Sequence, residues 1–256
     1  MKHNIVTFAA ITVFALSGII FWETDFLWPV FILIILLYIG ATSYGSFKIQ
    51  SNYFLKSVNV GKTKGIALTF DDGPNPETTP KVLEILKEKG VKATFFVIGK
   101  NAILYPDLLR QIHEEGHVIA NHSFSHHYLI GFFSSKKLKN DLAHCNEVIR
   151  DVIGKTPLFF RPPFGVTNPR YASVLKELQL DSIGWSLRSL DTRANNKYQI
   201  INKIISELNA RDIILLHDHL QVTADSLADI IEHCQQKGHK IVPLHQLIQK
   251  EPYDQN

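Results

Sequence analysis

From Gly65 onward, short apolar runs alternate with amphipathic stretches, and this alternation limits the fold more than any other feature of the sequence. Runs at residues 66–70, 93–98, 118–120, 158–160, 182–187, 213–216 and 241–242 read as seven strands. Residues 79–89, 102–115, 135–153, 169–178, 198–209, 224–237 and 244–250 read as helices, several of them stopped by Gly90, Gly116, Gly154 or Gly238. A glycine just past the last periodic residue ends a helix because it accepts the left-handed backbone required there. Strands that are apolar throughout are buried on both faces, and intervening helices impose parallel pairing. The expected class is α/β, an irregular (β/α) barrel of about seven parallel strands. A doubly wound open sheet is the alternative.

The first 47 residues are different material. Residues 5–22 carry no charge, nor do residues 26–47, and Glu23, Thr24 and Asp25 separate the two runs. A membrane helix needs about 20 apolar residues, so each run is long enough to span. Two transmembrane helices are expected, at about 5–22 and 26–45, forming a hairpin anchor over residues 1–47. Trp22 and Trp28 flank the acidic loop, where interfacial aromatics belong. A cleaved signal peptide is the competing reading, because Ala15-Leu16-Ser17 resembles a small-residue cleavage site. The chain stays apolar well beyond that point, which favours retention. Lys2 precedes the first run and Lys48, Lys56, Lys62 and Lys64 follow the second, while the loop has no Lys or Arg. That asymmetry predicts both ends, and the domain, on the cytoplasmic face of a membrane. Residues 48–64 read as a connector and residues 65–250 as the folded domain.

Net charge is +3 over 256 residues, with no basic block and no aromatic-basic interleaving, which argues against a nucleic-acid partner. Cys145 and Cys234 are the only cysteines, and neither lies in a CxxC, so a thiolate zinc site is excluded.

In parallel β/α folds, chemistry collects at the C-terminal ends of strands. Asp71 and Asp72 follow the first run, His122 and His126 the third, Arg161 the fourth, Arg188 and Asp191 the fifth, and His217 and Asp218 the sixth. Asp-Gly and Pro are also ordinary turn chemistry, so the Asp71-Asp72-Gly73-Pro74 doublet is ambiguous alone. Five clusters converging on one rim are not. A second His-x-x-x-His pair, His113 and His117, begins the strand that His122 ends. It is expected at the opposite face, as surface or helix-end residues.

Two imidazoles and a carboxylate form a recurrent divalent-metal set that leaves positions open for water and substrate. Asp72, His122 and His126 can supply it. Zinc is the first expectation, with cobalt, nickel or manganese as substitutes. Asp71 is adjacent as a general base, and Arg161 can hold it ionised. His217 can act as general acid, with Asp191 stabilising its imidazolium. This equipment suits metal-assisted hydrolysis of an amide with an amine leaving group.

The strings TFDDGP, HSFSH, RPPFG, WSLRSLD and IILLHD occur in that order. Together they resemble the five motifs of the polysaccharide deacetylase family (carbohydrate esterase family 4, the NodB homology domain). The resemblance covers residues 65–247. It implies a distorted β/α barrel that removes N-acetyl groups from amino sugars, with Asp71 as base. It further implies Asp72, His122 and His126 as metal ligands, Arg161 orienting the base, and Asp191 tuning the acid His217. By the same resemblance the Phe164 N–H helps stabilise the oxyanion, and Leu215 and Trp185 line the acetyl pocket. The family usually places an aromatic where this chain has Thr192, and commonly a Tyr where it has Phe164. The expected substrate is an N-acetylated glycan or a lipid-linked sugar at a membrane. A metal amidohydrolase of a small amide or imide, and a non-catalytic carbohydrate-binding membrane protein, are the alternatives. His127 and His219 are read as exposed loop residues, and Asp218 as structural.

Overall fold

The computed structural model describes residues 2–255. Two helices, α1 (Lys2–Phe21) and α2 (Leu27–Phe47), form an N-terminal hairpin. They are joined by stacked Phe14 and Phe31, with ring centroids 4.0 Å apart, and by a 3.0 Å hydrogen bond between Thr7 Oγ1 and Tyr38 OH. At 1.5 Å per residue each is about 30 Å long. Neither fully buries a large apolar side chain, most are exposed, and both helices are long and apolar enough to cross a membrane.

The rest is a β/α alternation. In chain order it runs β1 (Ala67–Asp71), α3 (Thr79–Glu88), β2 (Thr94–Val97), α4 (Gly99–Leu104), α5 (Pro106–Glu114), β3 (Val118–Asn121), α6 (Ser135–Ile153) and β4 (Phe159–Phe160). There follow α7 (Pro169–Glu177), β5 (Asp181–Ser182), β6 (Leu187–Arg188), α8 (Lys197–Glu207), β7 (Ile213–His217), α9 (Gln221–Gln236) and α10 (Leu244–Ile248). Among the described residues the seven strands form one parallel sheet in the order β5-β4-β3-β2-β1-β7-β6.

The sheet curls without closing: its two edge strands, β5 and β6, do not pair, although they are neighbours in sequence, separated only by residues 183–186. The run 182–187 was expected as one strand. The chain instead leaves β4 at Ser182, bends at Ser186 and joins β7 at Leu187. Asn59 packs on Gly184 between the two strands, where a Cβ would lie 1.9 Å from its Oδ1 and force that side chain to move. The expected strand at 241–242 reduces to a single bridge between Ile66 and Ile241, because Pro243 ends any ladder there. The expected helix 102–115 is two helices. The residue before a proline is driven out of the helical region, and the break falls at Tyr105-Pro106.

Residues 48–64, expected as a connector, pack against the sheet. Ile49, Tyr53, Phe54 and Leu55 are buried, Val58 bridges Ile183, and Val60 bridges Asp212. This segment covers the seam between β5 and β6.

Strand parity then sorts the side chains. Leu68, Phe70, Phe95, Ile119, Ile214 and Leu216 point outward into the layer under the helices. Ala67, Phe96, Ala120, Phe159 and Ile213 point inward, and α10 closes that end with Leu244, Leu247 and Ile248. The same inward parity continues up each strand to Asp71, His122, Arg161 and His217. His117 is buried rather than at the surface; its Nδ1 accepts the Ala93 N–H at 3.1 Å. Its burial drops its pKa to about 4, which keeps it neutral.

Candidate active site

Each cluster read from the sequence arrives on the C-terminal rim, around one cleft of about 300 Å³. Asp71 ends β1 pointing inward. Asp72 follows at φ 76°, so the backbone reverses and brings a second carboxylate to the same side. Gly73 is required next, since a Cβ there would sit 2.1 Å from the Asp218 carboxylate. Asp218 is buried and accepts the Thr79 hydroxyl at 2.5 Å, tying the loop after β7 to α3. Burial lifts its pKa to about 7. Ser123, His126, Phe164 and Leu190 also hold positive φ on this rim. Non-glycine residues occupy that region at a cost of order 1–3 kcal/mol each and persist only where surrounding structure enforces it.

Asp72, His122 and His126 converge. Asp72 Oδ1 lies 3.4 Å from His122 Nε2 and 3.3 Å from His126 Nε2, and one ligand atom from each falls within 4.8 Å of the others. Two atoms about 2.0–2.1 Å from one ion at the tetrahedral angle are about 3.3–3.4 Å apart, so the trio has the spacing of a zinc site. Asp72 Oδ1 is buried and accepts no hydrogen bond from the chain. A buried acceptor left alone is costly, and a cation would satisfy it. His122 Nδ1 faces the Arg161 carbonyl at 2.8 Å. Its proton therefore sits on Nδ1 and the Nε2 lone pair faces the trio. Burial, and then His122, push His126 down to about 4, leaving it neutral with a free lone pair. Burial opposes ionisation of Asp72, but contact with His122 and the electrostatic influence of the His122, His126 and His217 rings hold it well below the usual carboxylate range.

Two further pairs flank the trio. Arg161 is fully buried, with its guanidinium 4.0 Å over the Phe96 ring. Nη1 donates to Asp71 Oδ1 at 2.7 Å and to Thr69 Oγ1 at 2.9 Å. Nε and Nη2 donate to the Ile183 and Gly184 carbonyls at 3.2 and 2.9 Å. The segment between β5 and β6 thus supplies the acceptors that hold Arg161. Asp71 Oδ2 is left facing the trio, 3.8 Å from His122 Nε2. On the other side, Asp191 accepts four hydrogen bonds. Oδ1 takes His217 Nδ1–H at 2.8 Å and the Thr192 N–H at 2.9 Å. Oδ2 takes the His217 N–H and the Thr223 hydroxyl, both at 2.8 Å. Burial would lower the His217 pKa, but Asp191, followed by Asp71 and Asp72, lifts it to about 9. His217 Nε2 points at the cleft, 4.0 Å from Asp72 Oδ2.

Phe164, Trp185 and Leu215 form the apolar wall. Trp185 presents its ring edge to Gly165, where a Cβ would lie 2.4 Å from the indole. The Phe164 ring is exposed and rests on His126, with centroids 4.7 Å apart. Sequence reasoning placed His219 on an exposed loop, yet it lines the cleft, its Nδ1 3.8 Å from Asp72 Oδ2. Two-residue parity with His217 was the available signal. Arg188 and Thr192 also reach the cleft.

A curled parallel sheet whose C-terminal rim carries the pairs Asp71–Arg161 and Asp191–His217 suits hydrolytic chemistry, and known proteins say which. Residues 59–183 match the polysaccharide deacetylase family. A peptidoglycan-N-acetylglucosamine deacetylase of Bacillus cereus is 35% identical over 188 residues, 72% of this chain and 68% of that protein. Peptidoglycan-N-acetylmuramic acid deacetylase PdaC of Bacillus subtilis is 35% identical over 184 residues, 72% of this chain but only 38% of that protein. The chain therefore spans well under half of PdaC. The crystal structure of the Bc1960 peptidoglycan N-acetylglucosamine deacetylase superposes with a TM-score of 0.71 at 33% identity, covering 75% of this chain and 94% of that one. The chain belongs to the polysaccharide deacetylase family, hydrolases of carbon–nitrogen bonds other than peptide bonds.

Proposed function

We propose that this protein is a membrane-anchored, metal-dependent N-deacetylase that hydrolyses the acetamide of an N-acetylated amino sugar in a glycan. The observation that carries this reading is the cleft itself. The Asp72, His122 and His126 trio lies between Asp71, held by Arg161, and His217, held by Asp191. The donor set suits zinc, and cobalt, nickel or manganese are taken by the same donors. A divalent ion held there supplies positive charge that acidifies water and polarises the acetamide carbonyl.

The chain's own groups do the rest. Asp71 takes a proton from the attacking water through the oxygen that Arg161 leaves free. Among the described residues the Phe164 N–H has no acceptor in the chain, so it is available to the oxyanion. Trp185 and Leu215 enclose the acetyl methyl group. His217 Nε2–H protonates the departing amine, and Asp191 holds the resulting charge balance. Acetate and the free amino sugar result.

Relatives named as peptidoglycan deacetylases support the glycan class. The α1–α2 hairpin supports the anchor, and the Lys2 and Lys48 asymmetry supports a cytoplasmic domain acting on a lipid-linked sugar. Acetate release from N-acetylglucosamine oligomers, measured with the zinc-loaded chain, tests the activity. A protein that binds zinc but releases no acetate from any acetylated glycan sinks the reading. A reporter fused after Asn59 decides the face. Reporter activity only outside the cytoplasm replaces the lipid-linked precursor with finished peptidoglycan.

A further inference from the structure

The hairpin does not hang from the domain by a free linker. Its end is fastened to the rim of the cleft. The Thr167 N–H donates to the Ser46 carbonyl at 2.9 Å, and the Ser46 hydroxyl donates to the Thr167 carbonyl at 2.8 Å. The Thr167 hydroxyl donates to the Gly45 carbonyl at 3.3 Å. Gly45 lies flush on the Tyr53 ring, where a Cβ would come within 2.3 Å. Just beyond, Gln50 Nε2 donates to the Trp185 carbonyl at 3.0 Å. Thr167 is three residues past Phe164, so the two are at most about 11 Å apart.

Helix length then fixes depth. The 21 residues of α2 extend about 31 Å, close to the roughly 30 Å hydrocarbon thickness of a bilayer. If α2 spans, Gly45 and Ser46 lie at the boundary, and the loop after β4 lies there with them. A second loop is fastened alongside. Asn168 Nδ2 donates to the Gly131 carbonyl at 2.8 Å. That loop, between β3 and α6, leaves Tyr128 76% and Phe132 82% exposed, with Leu129 at 42%. Tyr128 stacks on its neighbour His127, with ring centroids 4.6 Å apart, and still leaves most of its surface open. Around them stand Lys48, Lys136, Lys137 and Arg170, all exposed.

Charge agrees with this placement. Residues 26–70, 116–140 and 152–176, which supply the hairpin end and both loops, contain no Asp or Glu. The acids that follow are engaged: Asp141 accepts the Phe124 and Ser125 N–H groups at 2.9 and 3.3 Å, and Glu177 pairs with Lys139 at 2.8 Å. Apolar and aromatic tips ringed by cations match the chemistry of an anionic headgroup surface.

We propose that the loops after β3 and β4 form a membrane-docking rim, which rests the mouth of the cleft on the anionic surface of the bilayer that holds α1 and α2. The proposal rests on the reading of the hairpin as an anchor and deepens it. The enzyme takes acetylated sugar held at that surface, rather than glycan reached at the end of a tether.

Depth-dependent quenching tests it on the full chain. Single-cysteine substitutions Phe132→Cys, Leu36→Cys and Glu88→Cys are labelled with bimane; native Cys145 and Cys234 are buried. Each protein is reconstituted into vesicles of phosphatidylcholine with one third phosphatidylglycerol, with and without brominated acyl chains. The expected result is quenching of at least twofold at 132 and at 36, and none at 88, which sits at the opposite end of the sheet. Quenching at 36 without quenching at 132 overturns the docking rim and leaves the anchor standing. No quenching at 36 overturns both. Activity gives a second readout. Tyr128→Ser with Phe132→Ser is expected to raise KM severalfold for a vesicle-held glycolipid bearing terminal N-acetylglucosamine, with kcat/KM for soluble N-acetylglucosamine oligomers unchanged. An unchanged KM on the glycolipid also overturns the proposal.

Discussion

Replacing Asp191 with Asn separates charge from shape at the His217 pair. In the native protein the imidazole is raised from 6.5 to about 9 against the opposing effect of its burial. That elevation corresponds to about 3 kcal/mol of preferential interaction with the imidazolium. A group whose folded pKa is raised stabilises the fold fully below its unfolded value and loses that contribution as pH rises through the folded value. The His217 contribution is therefore complete below about pH 6.5 and absent above about pH 9. Asn removes the charge, and burial then takes His217 below 6.5. The amide also turns an NH₂ toward two of the four donors that Asp191 accepts. Each buried donor left alone costs about 1–3 kcal/mol at every pH. The stability gap between native and Asp191→Asn protein should thus be widest near pH 6 and narrow by about 3 kcal/mol by pH 9.5. Thermal melts of the detergent-solubilised, chelator-treated chain read this directly. At 2–4 °C per kcal/mol for a domain of this size, the gap in Tm closes by about 6–12 °C. On the zinc-loaded enzyme, the alkaline limb of kcat should move below pH 6.5, and kcat at pH 8 should fall about 100-fold. A stability gap independent of pH, or an alkaline limb that stays in place, refutes the assignment of His217 as an acid held protonated by Asp191.

Asp71→Asn should lower kcat at least about 100-fold while the protein retains one equivalent of zinc by elemental analysis; undiminished turnover would show that the base lies elsewhere. Arg161→Met should cost about 3–5 kcal/mol in urea denaturation, because it leaves Asp71 buried and unpaired; a loss under 1 kcal/mol contradicts the pairing. Dipicolinate should abolish acetate release, and zinc should restore it to the native protein but not to His126→Ala, whose zinc content should fall below one tenth of an equivalent. Gly73→Ala should destabilise by about 1–3 kcal/mol, since its Cβ meets the Asp218 carboxylate at 2.1 Å; an unchanged denaturation midpoint would mean that the carboxylate moves freely.

Much of the site was readable before any coordinates. Asp71, His122, Arg161 and His217 each end or follow an apolar run, and inward parity carries all four to one rim. The family motifs added Phe164, Trp185 and Leu215, and all three line the same cleft. His219 was missed because a loop residue carries no periodic signal, although it follows His217 at a two-residue step. The helix break at Tyr105-Pro106 was legible from its proline and was passed over in favour of continuous amphipathicity.

What the sequence by itself determined is the set of local choices. These are which runs are strands, which end each polar residue occupies, and that two long charge-free runs precede the domain. Hydrophobic period and turn chemistry act over a few residues, so they survive in the linear chain. The curl of the sheet did not. Residues 182–187 look like one strand because Ile183, Trp185 and Leu187 alternate with small residues and no charge interrupts them. Only pairing with β4 on one side and β7 on the other splits them into β5 and β6. That split exposes the carbonyls of Ile183 and Gly184 to Arg161, and so decides how Asp71 is held. The same curl seats residues 48–60 over the gap between the two edge strands and brings the end of α2 to Thr167. These contacts join residues more than 100 positions apart, and no local pattern encodes them.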